Sequence, residues 1–342
     1  DDKGNMLIPI LAAEAWLRAT GALPVNVRFI FEGQEEIGSP YLDEFVGAHR
    51  DRLACDLVLS ADGGQFSADQ PALTLGTRGL CALQIDVRGA KSDLHSGTYG
   101  GAIQNPIHAL VQLLASMRAP DGHILVEHFY DRVAPVTAEQ RRLLAAIPHS
   151  DERLKQQLGV PALFGEPGYT TIERQGVRPT LEVNGIWGGF AGEGVKTVLP
   201  AEAHAKITCR LVPDQDPEEI LGFIEAHVRR HSPPGVTVEV RRQPGYARPY
   251  VMPVDHPGNR VAADVLRELY GREPLYLWMG GTVPLYDIFL SRLSAHTVTF
   301  AFGLPDEQIH APNEFFRLSS FERGLVGWAH LLAGLGAGKL AD

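Results

Sequence analysis

Apolar residues at Val25, Val27, Phe29 and Phe31 recur with the period of a strand, and the run leads into Glu32-Gly33-Gln34-Glu35-Glu36-Ile37-Gly38-Ser39. Upstream, residues 5–20 are apolar on nearly every face (Met6, Leu7, Ile8, Ile10, Leu11, Ala12, Ala15, Trp16, Leu17). This predicts a buried helix that Gly21 stops, despite Pro9 in its early turns. A short helix is expected around 41–49. Asp56-Leu57-Val58-Leu59-Ser60 then reads as a buried strand running into Ala61-Asp62-Gly63-Gly64. Helix, strand, helix, strand is the alternation of an α/β sheet, whose ligands sit beyond the carboxyl ends of its strands. Glu35, Glu36 and Asp62 all follow strands in this reading.

Near residue 78 the texture changes. Cys81, Leu83, Ile85 and Val87 alternate with Ala82, Gln84, Asp86 and Arg88, a half-buried strand. Residues 92–101 are too rich in glycine for regular structure, and Asn105-Pro106 opens a helix. Polar-faced helices are expected at 139–144 and 151–158, and a loop at 165–169. Strands at 205–211 and 236–240 flank a helix near 217–231, which predicts a small α+β domain over 78–245. The α/β texture then returns, with a helix at 259–270 stopped by Gly271, a strand at 297–302 and a closing helix. The start of that helix, Ser319-Phe321-Glu322, has the spacing of a capping box. The expected fold class is an α/β domain of residues 1–77 and 246–342, its mixed sheet flanked by helices, with 78–245 inserted into it.

Composition narrows the partners. A chain of 342 residues, 44% hydrophobic and 21% charged, suits two globular domains. A net charge of −10 leaves no basic field for nucleic acid or an anionic membrane. No apolar run reaches the roughly 18–20 residues of a membrane span. Cys55, Cys81 and Cys209 stand apart in apolar or strand-like surroundings, as buried thiols of a reducing compartment do; a cytoplasmic location is expected.

Candidate chemistry gathers in the outer domain. Asp1, Glu35, Glu36, Asp62 and His310 supply carboxylates and an imidazole but no thiol, a set that suits Zn²⁺ or Mn²⁺. If Asp1 bridged two ions about 3.5–4 Å apart, their charge would neutralise the acids and leave one carboxylate as a base. Spacing does not decide this. The Glu35-Glu36 pair alone is equally a solvated acidic turn, and His310 alone a surface histidine.

Asp1-Asp2-Lys3-Gly4, Glu35-Glu36-Ile37-Gly38-Ser39, Asp93-Leu94-His95-Ser96-Gly97 and Lys196-Thr197-Val198-Leu199-Pro200 occur in order along the chain. Arg210-Leu211-Val212-Pro213, Gly280-Gly281-Thr282 and His310-Ala311-Pro312-Asn313-Glu314 follow. Together they resemble the co-catalytic metallopeptidases of the carnosinase, aminoacylase and glutamate carboxypeptidase family, the carnosinase-like dipeptidases above all. The resemblance implies a metallopeptidase catalytic domain with an inserted lid that forms a homodimer, and two divalent metal ions, zinc or manganese. It makes Asp1 the bridging ligand, with Glu36 and His310 on one ion and Asp62 on the other. Glu35 would be the general base. His95 and Thr197 would reach the other subunit's active site and hold the oxyanion. Arg210 would bind the substrate carboxylate, a task suited to a planar bidentate donor, and Thr282 would approach the substrate closely.

Two departures accompany the resemblance. The family's first ligand, a His-x-Asp segment before the bridging Asp, has no counterpart, and Met279 stands where many dipeptidases carry an acid before Gly-Gly. The expected function is hydrolysis of a peptide bond in a small substrate with a free carboxylate. Deacylation of an N-acyl amino acid on the same site is the alternative, and a metal-free binding relative the third reading. Without the missing imidazole, the chain as it stands is expected to be inactive.

Overall fold

Helix α1 (Lys3–Thr20) stops at Gly21, whose φ of 78° returns its N–H to the Leu17 carbonyl. The computed structural model describes residues 2–338. In it α1 is buried on one side only, through Asn5, Ile8, Ala12 and Ala13, while Met6, Leu7 and Leu17 are exposed. All-round burial is therefore corrected to a one-sided contact.

The strand expected at 25–31 does not form. Its backbone is extended enough for the Phe29 and Phe31 rings to stack, with centroids 6.0 Å apart. Among the described residues no strand pairs with it, so the alternation has no ladder to join, and Phe29, Ile30 and Phe31 are exposed.

After α2 (Leu42–Ala48) and α3 (Arg50–Leu53) come β1 (Val58–Ser60), β2 (Ala72–Thr77), which the pattern did not reveal, and β3 (Gly79–Arg88). The glycine-rich stretch is more regular than expected, holding β4 (Leu94–His95) and the single turn α4 (Ser96–Tyr99). Next come α5 (Pro106–Ser116), α6 (Ala138–Ala145), α7 (Asp151–Leu158), α8 (Thr171–Gly176), β5 (Thr180–Gly188), β6 (Val198–Leu199), β7 (Glu202–Leu211), α9 (Pro217–His231) and β8 (Thr237–Arg242). The chain closes with β9 (Tyr250–Val251), α10 (Pro257–Tyr270), β10 (Leu275–Met279), α11 (Pro284–Leu293), β11 (Thr297–Thr299) and α12 (Leu318–Gly336).

The inserted domain is an antiparallel sheet in the order β5-β7-β3-β8. Leu83, Ile85 and Val87 of β3 and Ile207 of β7 join Leu110 and Leu113 of α5 and Ile224 of α9 in one core. Both helices thus cover the apolar face of the sheet, the usual outcome of period-2 patterning. Cys81 and Cys209 are buried opposite each other in β3 and β7, but Cys55 is exposed, which corrects the expectation of three buried thiols.

The outer domain pairs β10 with β2 in parallel, β2 with β9 antiparallel and β1 with β11 in parallel, a mixed arrangement. Ile8, Val261, Leu266, Phe300, Phe302, Trp328 and Leu331 form its core. Helix α12 lies against α1 and α10, and a Cβ added at Gly324 would stand 2.6 Å from Ile8, so glycine permits the close approach. The capping box expected at Ser319 is not made. Arg317 is the N-cap, without a side-chain bond, because the helix has already begun at Leu318. No helix among the described residues is long and apolar enough to cross a membrane.

Candidate active site

Strands β1 and β11 run parallel, and the segments that follow them stay side by side as far as the parallel Gly64–Gly303 bridge. Asn5, buried in the first turn of α1, binds them together. Its Nδ2 donates to the Gly63 carbonyl (3.1 Å) and its Oδ1 accepts from the Phe302 N–H (2.8 Å). Gly64 bridges Gly303, and a Cβ there would lie 2.3 Å from the Gly303 oxygen, so no larger residue fits without displacing a strand end. These contacts place Asp62 beyond β1 and beside the start of α1.

Glu35 and Glu36 lie in a 3₁₀ turn, Glu35–Ile37, closed by Gly38 at φ 85° through a 2.7 Å bond from its N–H to the Glu35 carbonyl. Across it, His310 Nε2 lies 3.1 Å from Glu36 Oε1, a contact between residues 274 positions apart. His310 is held at φ 60° on a loop built over the buried carboxylate of Glu307. That carboxylate accepts from the N–H groups of Leu304 (2.8 Å) and Arg317 (3.0 Å).

The acids sense one another. Asp62 is exposed at its surface, yet partial desolvation first, then the charges of Asp2, Glu35 and Glu36, pushes its carboxyl up to about 6. Glu35 is also raised, by burial and then by Glu36 and Glu32, with His310 opposing. Asp2, the N-cap of α1, is raised chiefly by burial, with Glu36 adding to it. Like charges gathered this closely are relieved by sharing a proton or a cation. Among the described residues no three of these donors converge closely enough to hold an ion, and Asp1 lies outside the described residues. The chemistry of the set, carboxylates with one imidazole and no thiol, nevertheless fits a zinc or manganese pair.

The remaining candidates fall into two groups. His95 and Thr197 meet on the β4–β6 ribbon of the inserted domain, where the Ser96 N–H donates to the Thr197 carbonyl (3.0 Å). Both are exposed. His95 Nδ1 accepts from the Gly97 N–H at 3.1 Å, so in the neutral ring Nε2 carries the proton and points a donor outward. Arg210 on β7 and Thr282 after β10 form the other group, joined by a 2.7 Å bond from the guanidinium to Thr282 Oγ1. Met279 is exposed beside Gly280, and its sulfur accepts from Thr74 Oγ1 at 3.5 Å.

Sequence reasoning did not assign Asp2, Asn5 or Glu307. Asp2 was signalled only by its place beside Asp1. Glu307 carried no signal, since a buried loop acid reads in sequence like a surface one.

A family model, the peptidase dimerisation domain, matches residues 75–236. The Cys-Gly metallodipeptidase of Schizosaccharomyces pombe is 30% identical over 332 residues, covering 95% of this chain and 69% of that protein. Human Beta-Ala-His dipeptidase is 31% identical over 321 residues, covering 92% of this chain and 63% of that protein. In three dimensions, human carnosine dipeptidase 1 superposes with a TM-score of 0.77 at 30% identity, over 98% of this chain and 72% of that one. The metallo-carboxypeptidase Sso-CP2 of Sulfolobus solfataricus does so with a TM-score of 0.86 at 27% identity, over 98% and 76%. The chain belongs to the M20 family of metallopeptidases, with an α/β catalytic domain and an inserted dimerisation domain. It spans 69% and 63% of the two curated relatives' lengths, and these relatives give no support to the expectation that it is inactive.

Proposed function

We propose that this protein hydrolyses a peptide bond in a dipeptide or similarly small substrate with a free carboxylate, working as a homodimer with two zinc or manganese ions. The observation that carries the reading is the Glu36–His310 contact beside Glu35, formed across 274 positions in a cluster of acids. The 30% and 31% identities to a Cys-Gly metallodipeptidase and a Beta-Ala-His dipeptidase support it.

Asp1, Glu36, Asp62 and His310 would hold the ions, which when bound supply Lewis acidity and lower the pKa of a water towards ~7. Glu35 takes a proton from the attacking water and delivers it to the leaving amine nitrogen, so the products are a carboxylate and an amine. Its raised pKa suits a group that must accept and then release a proton. Arg210, oriented by Thr282, grips the substrate carboxylate. The partner's His95 and the partner's Thr197 hold the carbonyl oxygen as it becomes an oxyanion, His95 through its Nε2–H.

Met279 favours a second reading. An exposed thioether beside Gly280-Gly281 offers no charge to a free α-amine, so N-acyl amino acids would be accepted on the same machinery. The test is a hydrolysis screen of purified protein with added Mn²⁺ or Zn²⁺ against dipeptides and N-acetyl amino acids. Dipeptide cleavage that chelation abolishes and metal restores is expected. No metal-dependent cleavage of either class would overturn the proposal, and cleavage of N-acetyl substrates alone would establish the second reading.

A further inference from the structure

A cavity of about 200 Å³ lies between the start of β5, the segment after α5 and the segment around α8, and its lining includes Arg78, Arg118, Arg174, Arg178, Glu166 and Glu182. Four guanidinium groups therefore face two carboxylates. Glu166 is committed to the buried Arg178, whose Nε and NH2 donate to its two oxygens at 2.8 and 2.7 Å. Glu182 forms an ion pair with Arg118 at 3.6 Å, too long for a hydrogen bond and partly open to solvent. Arg174 and Arg78 reach only backbone oxygens. Arg174 Nε donates to the Glu166 carbonyl at 2.9 Å, and Arg78 donates to the carbonyls of Gly280 (3.0 Å) and Arg178 (3.3 Å).

The hydrogen bonds of Arg78 and Arg174 thus go to neutral acceptors, while the carboxylates of Glu182 and Asp151 act on them only through space. Burial, and after it the charge of Arg210, brings the Arg78 guanidinium down to about 10, with the Glu182 carboxylate opposing both without restoring the ordinary value. Charges withdrawn from water are costly unless paired, and planar guanidinium forks match the oxygens of carboxylate and phosphate.

We propose that this cavity binds a small dianion, a dicarboxylate or a phosphate group, through Arg78, Arg118 and Arg174. The site is separate from the acids around Glu35 and does not depend on the reaction proposed for them. Arg78 also links it to the substrate anchor. Its backbone N–H donates to the Gly281 carbonyl (3.0 Å), so Arg78 holds the turn that presents Thr282 to Arg210.

The test is isothermal titration of the metal-loaded protein with inorganic phosphate and, separately, glutarate at constant ionic strength, with acetate as the monoanion control. Saturable binding of at least one dianion below about 10 mM is expected, with acetate much weaker. The tighter of the two identifies the ligand as phosphate-like or dicarboxylate. Arg174→Gln should weaken binding by about tenfold or more and Arg174→Lys should restore most of it, since a charge-assisted hydrogen bond is at stake. Arg118→Gln provides a second variant should Arg174→Gln fail to fold. Absence of saturable binding overturns the proposal. So does dianion binding that folded Arg174→Gln or Arg118→Gln leaves unchanged, because the anion would then sit elsewhere, on the metal ions included.

Discussion

The Arg210 guanidinium on β7 donates to Thr282 Oγ1 at 2.7 Å, tying the inserted domain to the outer one within a single chain. One guanidinium nitrogen is committed to the hydroxyl, and the rest of the fork remains for a carboxylate. In the proposed reaction the hydroxyl would thereby fix the plane in which a substrate carboxylate is received.

Thr282→Val should raise KM by roughly tenfold with kcat little changed, the effect of one lost hydrogen bond on an orienting group. Arg210→Ala should raise KM further for substrates with a free carboxylate, but not for their carboxamides. Steady-state kinetics on matched acid and amide substrates checks this. An Arg210→Ala variant with parental KM on the free acid rules out the anchor.

Glu35→Gln should keep its metal content and lose nearly all turnover, because the amide preserves size while removing the proton acceptor. Elemental mass spectrometry beside turnover measurements separates the two effects. Turnover within about tenfold of the parent would sink the assignment, since acid–base catalysis typically contributes about 10²–10⁴-fold.

His95→Ala alone should lower turnover by about 10²–10³-fold, the usual cost of one oxyanion donor. If His95 acts across the dimer, mixing His95→Ala with Glu35→Gln subunits restores activity, because each heterodimer assembles one intact site. Heterodimers that demonstrably form yet stay inactive would show that His95 serves its own subunit or none.

Asp86 is fully buried in β3, where Gln84, His204 and Arg241 all hydrogen-bond to it. Burial raises its pKa, but those three partners outweigh burial and hold it below the ordinary 3.8. A depressed folded-state value means the stabilisation is complete above the unfolded pKa and disappears as pH falls through the folded one. Asp86→Asn should therefore cost about 3 kcal/mol near neutrality, at the low end for a broken buried pair because Arg241 stays half solvated. The penalty should shrink below about pH 4. Denaturant melts of parent and variant across that range check it, and a gap that does not narrow in acid defeats the assignment.

Much of the architecture was legible because patterning and punctuation are local. The α10 helix ends at Gly271 as its αL position requires, and α5 begins at Asn105-Pro106, with the Asn105 side chain accepting from the Ile107 N–H. Alternation placed β3 and β7 correctly because each has a partner on both sides and a helix-covered face. The same alternation failed at 25–31, for a strand needs a neighbour and sequence period does not supply one. The capping box at Ser319 failed in a similar way, its spacing being present while the helix starts earlier, at Leu318.

By itself, the sequence determined the kinds of side chain available: adjacent carboxylates at Glu35 and Glu36, an acid past a strand at Asp62, and motifs in an order that a family shares. Only the tertiary structure decided which of them meet. The Glu36–His310 contact depends on Asn5 joining two strand ends and on buried Glu307 shaping a loop, neither of which leaves a mark in periodicity. The surplus of arginine beside the inserted sheet was equally invisible, because Arg78, Arg118 and Arg174 come from separate segments. Local sequence sets what each segment prefers to be. Charge balance belongs to the space between segments, and that space exists only once the chain has folded.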